Sequence, residues 1–157
     1  MTDSVDIIYA DPIDRYVELG YNGADLISVR FINSKEKLTE KRTGPASFEL
    51  DEYFKGERTV FSCGFDISML SAFSRKVLYE TSKIGYGKTI TYSELAGNIG
   101  TRAFRAVGRA LADNPIPIII PCHRVVAKSG IGGYSAGVDI KTRLLEHEMK
   151  TRIANNL

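Results

Sequence analysis

Pro121-Cys122-His123-Arg124-Val125 places a thiol, an imidazole and a guanidinium on three consecutive residues. A cysteine attacks as its thiolate, so it needs a base or a positive neighbour to lose its proton. His123 and Arg124 are the candidates for that task. A histidine that takes a proton needs a carboxylate to orient it, and Glu148 is available downstream. In a helix predicted over 139–150, Lys141, Leu144, Leu145 and Glu148 share one face. Glu148 therefore turns toward the core. There it meets either His123 or, if it stays partly exposed, Lys141 or another basic neighbour. The chemistry open to such a set is nucleophilic transfer to sulfur, including hydrolysis through a thioester by Cys122, His123 and Glu148.

The remaining cysteine and histidine, Cys63 and His147, are distant singles, so the four residues fit no zinc-ligand spacing. Two cysteines in a chain that opens without a signal-peptide pattern read as free thiols in a cytoplasmic protein. Cys63 reads as a packing residue near a domain junction. No apolar run reaches the length of a membrane span.

Several elements must hold the thiol in place. Asn114-Pro115-Ile116-Pro117-Ile118-Ile119-Ile120-Pro121 is a β-branched run fenced by prolines, which fix the backbone ahead of Cys122. Before it, Thr91 and Glu94 form a capping box that opens a short helix over 92–96. A turn over 97–101 leads to a second helix over 102–112. On that helix Arg102, Arg105 and Arg109 fall within about 60° of one another, with Phe104, Val107 and Leu111 on the opposite side. Ala103, Ala106, Gly108, Ala110 and Ala112 lie between the two faces and allow close approach to another surface. Two readings stay open: a helix-turn-helix lying in a DNA groove, or an amphipathic helix with solvated arginines.

Further upstream, Phe73, Val77, Thr81 and Ile84 predict a helix ending at Gly85-Tyr86-Gly87. Tyr16–Leu19 and Leu26–Phe31 predict a hairpin around Gly20-Tyr21-Asn22-Gly23, and a short helix is expected near 48–54. The pattern changes from strands to helices at 64–70. The charge changes with it. Residues 1–69 carry 8 Lys+Arg against 13 Asp+Glu, and residues 70–157 carry 13 against 6. An acidic half joined to a basic half is what a polyanion-binding second domain looks like, although an ordinary solvated surface has the same balance.

Taken together these segments resemble the O6-methylguanine-DNA methyltransferases. The resemblance is carried by Pro121-Cys122-His123-Arg124-Val125, Asn114-Pro115-Ile116-Pro117, Tyr134-Ser135-Ala136-Gly137, Leu144-Leu145-Glu146-His147-Glu148, Tyr86-Gly87-Lys88-Thr89-Ile90-Thr91-Tyr92 and Arg105-Ala106-Val107-Gly108. It spans about Leu50 to Glu148. It implies an α/β protein: an N-terminal domain over 1–66 with a small antiparallel sheet and helix, ribonuclease H-like, and a helical C-terminal domain over 67–157 with a winged-helix-like helix-turn-helix.

The implied partner is double-stranded DNA containing O6-alkylguanine, bound in the minor groove by a monomer with no metal or cofactor. The lesion would be flipped out and its alkyl group moved irreversibly to Cys122. By position, His123 resembles the family's water-linked base, Glu148 its orienting carboxylate, and Asn114 the residue holding the active-site turn. Tyr92 would hydrogen-bond the flipped base and Arg105 would fill the space it leaves. Val125 would offer a backbone carbonyl to the base, Tyr134 and Ser135 would line the substrate loop, and Lys141 lies near that loop. Arg102, Arg109, Ala106 and Gly108 complete the expected DNA face. Phe104, Gly133 and Ala136 depart from the pattern; Phe104 stands where the family has a small residue, and the helical wheel sends it to the core. Alkyltransferase-like proteins that recognise damage without repair lack the acceptor cysteine, which this chain has.

Overall fold

The computed structural model describes residues 2–157. The chain divides into two compact units, one ending at Ile67 and the other Ser68–Leu157. In the first, β1 (Ser4–Ala10), β2 (Arg15–Asn22) and β3 (Asp25–Ile32) form an antiparallel sheet in that order. The helix α1 (Pro45–Phe54) packs on β1 and buries Ala46, Leu50 and Tyr53.

The hairpin turn is tighter than expected. Gly20, Tyr21 and Asn22 belong to β2, and the chain reverses at Gly23, whose φ is 59°. Gly20 marks an irregularity in the β2–β3 register instead, and a Cβ there would collide with Ser28 Oγ. A glycine that permits close approach of neighbouring groups looks the same in sequence as one that turns.

β1 was hidden because its inward positions include a carboxylate. Asp6 is fully buried beside Ile8 and Ala10. It accepts hydrogen bonds from Thr43 N–H (2.8 Å), Thr43 Oγ1 (2.7 Å), Gly44 N–H (2.8 Å) and Ser47 Oγ (2.7 Å). These tie β1 to the start of α1. Burial raises the Asp6 pKa, but the four donors outweigh it and bring it down to about 2. A carboxyl depressed on folding stabilises above its unfolded pKa, near 3.8, and the benefit is lost as pH falls toward 2. That linkage amounts to about 2 kcal/mol. We expect Asp6→Ala, which strands these donors, to lower urea-unfolding stability by about 3 kcal/mol at pH 6. The gap between variant and parent should narrow on acidification; a constant gap would remove the linkage.

The second unit contains α2 (Ala72–Thr81), β4 (Ile90–Thr91), α3 (Tyr92–Asn98), α4 (Phe104–Ala112), β5 (Val125–Val126) and α5 (Val138–Ala154), with β4 and β5 paired in parallel. Ser71 caps α2 by accepting from Ser74 N–H, and both halves of the Thr91–Glu94 capping box open α3. The helix α2 is shorter than its apolar spacing, but Ile84 is still buried just beyond its end. The helices α2, α3 and α4 pack on one another through residues that include Val77, Leu78, Leu95, Val107 and Leu111.

Two expectations for α4 fail. The helix begins at Phe104, so Arg102 lies in the lead-in and not on the arginine face. Phe104 is 52% exposed rather than in the core. The reason is positional: the wheel assumed a helix from residue 102, whereas Phe104 occupies the first turn, ahead of the part that packs. Among the described residues no helix is long and apolar enough to cross a membrane, and no group of three or more His, Cys, Asp or Glu is placed to hold a metal ion.

Candidate active site

The segment after α4 delivers the thiol. Asn114 pins this turn through Nδ2–H to the Ile120 carbonyl (2.9 Å) and through Oδ1, which accepts Ile116 N–H (3.1 Å). Ile118 sits at φ 73°, a left-handed conformation that disfavours a β-branched residue. Its side chain is fully buried, and Ile116, Ile119 and Ile120 are buried around it, so packing and the Asn114 bonds hold the strained turn. The chain then enters a 3-10 turn, Cys122–Arg124, which places all three side chains in the interior.

His123 and Glu148 are both completely buried, with Nε2 and Oε1 2.8 Å apart. The other ring nitrogen, Nδ1, is buried and has no hydrogen-bond partner among the described residues. Glu148 also accepts Gly87 N–H at 3.2 Å. Arg124 does not serve the thiol as the sequence allowed. Its Nη2 lies 2.6 Å from Glu148 Oε1, its Nε is 3.1 Å from both carboxylate oxygens, and its Nη1 donates to the Ile84 carbonyl at 2.7 Å. The Tyr86 ring lies 5.5 Å beneath the guanidinium. Glu148 is thus the hub of a buried network that includes a basic neighbour, Arg124, while a partly exposed Glu148 paired with Lys141 is excluded.

Lys141 is fully buried and donates to the carbonyls of Val125 (2.7 Å) and Gly133 (3.0 Å). Its Nζ also stands 5.7 Å from the Tyr92 ring. Tyr92 OH donates to the same Gly133 carbonyl at 3.3 Å. These bonds fasten the loop after β5 against the start of α3. The Val125 carbonyl expected to face a base accepts Lys141, and Val125 itself is fully buried.

Between these parts lies a cavity of about 250 Å³ lined by Tyr92, Gly108, Leu111, Ala112, Cys122, Gly133, Tyr134 and Ser135. In the sequence Leu111 reads as an apolar-face residue and Ala112 as a small spacer, neither as a site residue; their place one turn beyond Gly108 is the signal that could have put them at the cavity. Arg105, Ala106 and Arg109 are exposed on α4 and do not line the cavity, and Arg102 is exposed just before the helix.

Burial dominates the electrostatics. It raises the Cys122 thiol, although the nearby polar groups of Asn114 and Tyr134 and the Lys141 charge act the other way. It lowers His123 despite the Glu148 carboxylate. Burial likewise pushes Tyr134 well up and Lys141 down. Burial would raise Glu148 too, but His123 and Arg124 together keep it below the usual carboxylate range. At neutral pH the centre therefore holds a protonated thiol, a neutral imidazole and an ionised, fully paired carboxylate. Such a thiol is quiet until a base removes its proton. Cys63, half-buried in the first unit, is pushed up to about 11, mainly by burial with the Glu49 charge adding.

The family described as 6-O-methylguanine DNA methyltransferase, DNA binding domain, matches residues 72–150. A methylated-DNA–protein-cysteine methyltransferase from Sulfolobus acidocaldarius is 38% identical over 143 residues, covering 90% of each chain. One from Metallosphaera sedula is 44% identical over 119 residues, 73% of this chain and 74% of the relative. Among solved structures, the O6-methylguanine methyltransferase of Mycobacterium tuberculosis superposes with a TM-score of 0.81 at 34% identity over 94% of both chains. The same organism's protein in complex with DNA gives 0.81 at 35% identity, covering 94% of this chain and 93% of that one. With the buried Cys122-His123 pair and its cavity inside the matched segment, this chain belongs to the methylated-DNA–protein-cysteine methyltransferase family.

Proposed function

We propose that this chain repairs duplex DNA by accepting the alkyl group of O6-alkylguanine on Cys122, one group per molecule. The observation that carries the reading is a buried thiol lining an apolar cavity, on the same 3-10 turn as a histidine locked to Glu148. The first unit is read as ribonuclease H-like and the α3–α4 pair as a winged-helix-like helix-turn-helix.

The lesion in a duplex lies inside the base stack, where a buried protein thiol cannot reach O6, so the nucleotide must be extruded into the cavity. The exposed N-terminal end of α4 approaches the minor groove, and Arg105 fills the vacated place in the stack, with Arg102 and Arg109 on the phosphates. In the cavity His123 takes the Cys122 proton through a water at Nδ1, while Glu148 stabilises the resulting imidazolium. The sulfur then displaces guanine O6 from the alkyl carbon: an S–C bond forms, the C–O bond breaks, and guanine leaves as an anion that Tyr92 stabilises by hydrogen bonding. The Val125 carbonyl accepts the exocyclic amine. Tyr134 and Ser135 face the alkyl group, and Lys141 and Asn114 keep the walls in position. The product is a thioether with no electrophilic carbonyl for water to attack, so the thiol is not regenerated. No metal or cofactor takes part, and the protein acts as a monomer within the cytoplasm.

The test is intact-protein mass spectrometry after incubation with a duplex carrying one O6-methylguanine, beside Cys122→Ser. One methyl increment that saturates at one per chain, maps to Cys122 and is absent in the variant is expected. Lesion binding with no increment would leave a damage-recognition module in place of a repair protein.

A further inference from the structure

Phe104 is a large apolar side chain left 52% in water on a surface of small and basic residues. Its neighbours Arg102, Ala103, Arg105 and Ala106 are all exposed. A singly exposed apolar side chain is ordinary on a protein surface, as Phe48 at the same 52% shows, so position rather than exposure sets Phe104 apart. Its place on the helix identifies what it faces. Residues four apart on an α-helix share a face, so Phe104 stands one turn before Gly108 and two turns before Ala112. Both of these line the Cys122 cavity. Apart from its chain neighbours and its own helix backbone, no heavy atom lies within 4 Å of the position that a Gly108 Cβ would take, so the surface between ring and cavity is open at that residue. Arg105 and Arg109, again four apart, occupy the neighbouring face.

We infer that Phe104 is a further DNA-positioning residue, whose ring enters the minor groove at the mouth of the cavity and stacks on the base flanking the extruded nucleotide. Minor-groove proteins insert apolar side chains at base steps, and an aromatic ring can stack on any base because every base offers a π-face. Arg105 fills the vacated place in the stack; Phe104, on the neighbouring face of the helix, adds an aromatic surface against the flanking base at the groove edge. The inference rests on the extrusion reading above.

Single-turnover transfer should be measured on a duplex with one O6-methylguanine beside 2-aminopurine, using the parent, Phe104→Ala and Phe104→Trp. Transfer from free O6-methylguanine base serves as a substrate that needs no extrusion. The expected result for Phe104→Ala is about tenfold slower transfer at sub-saturating duplex, within the range of one base–aromatic stack. The 2-aminopurine fluorescence should rise as its stacking partner is lost, and Phe104→Trp should restore both. Reaction with the free base should be unchanged, as should the slope of binding against salt, because no phosphate contact is removed. Parent-like transfer and fluorescence in Phe104→Ala overturn the inference and leave the ring as a contact for another protein. Absence of Cys122 methylation in the parent from either substrate instead overturns the transfer reading itself.

Discussion

Glu148→Ala should unfold the Ser68–Leu157 unit far more readily than any substitution on its surface, with a loss of about 3–5 kcal/mol in denaturant titration. The size follows from what is stranded. Arg124 is 5% exposed and directs two nitrogens at the carboxylate, while His123 has no exposure at all. Removing Glu148 leaves a guanidinium buried without a counter-charge, which costs more than the pair itself contributes. It also releases Gly87 N–H, so the turn before β4 loses one anchor.

Glu148→Gln separates the two roles. The amide has similar volume and keeps an oxygen for Arg124, but it cannot neutralise that charge or stabilise an imidazolium on His123. We therefore expect Glu148→Gln to recover part of the stability and little of the transfer rate. Equal recovery of both would make Glu148 a packing residue with no part in proton transfer.

How much of this centre was legible in the sequence depends on whether a partner lies within helical reach. Lys141, Leu144, Leu145 and Glu148 could be placed on one inward face because an i, i+3, i+4, i+7 spacing is local information, and all are buried except Leu145, which is partly so. The Cys122-His123 pair needed only adjacency. Arg124 was misassigned because its partners are Glu148, 24 residues away, and the Ile84 carbonyl, freed by the early end of α2. Neither contact leaves a periodic trace. The same limit explains the fold. The Thr91–Glu94 box was readable because a capping box closes within four residues. β1 was not, because Asp6 breaks the apolar alternation and its donors, Thr43, Gly44 and Ser47, lie on a segment some forty positions later. Phe104 went wrong through the helix boundary, not the register: α4 starts two residues later than read, which puts Phe104 in the first turn, while Val107 and Leu111 on the same side are buried as expected.

His123→Ala should leave a folded protein whose transfer from duplex is slowed about 10²–10⁴-fold at pH 7.5, the usual share of a positioned general base. The pH profile carries the argument. Because burial lowers the His123 pKa, the parent's base stays deprotonated as pH falls to 6.5 and somewhat below. Its transfer rate should therefore hold through that range and drop only in more acidic solution. Because burial raises the Cys122 thiol above its ordinary value of 9.0, the variant has almost no thiolate at neutral pH and nothing to generate it. Its residual rate should instead climb about tenfold per pH unit past pH 9, the signature of deprotonation by solvent hydroxide. Glu148 keeps its Arg124 partner in this variant, so the loss of rate cannot be charged to an unpaired carboxylate. A His123→Ala profile parallel to that of the parent, merely lower, would mean that imidazole shapes the pocket without taking the proton, and the thiol would have to be activated by Lys141 and Tyr134 on its other side.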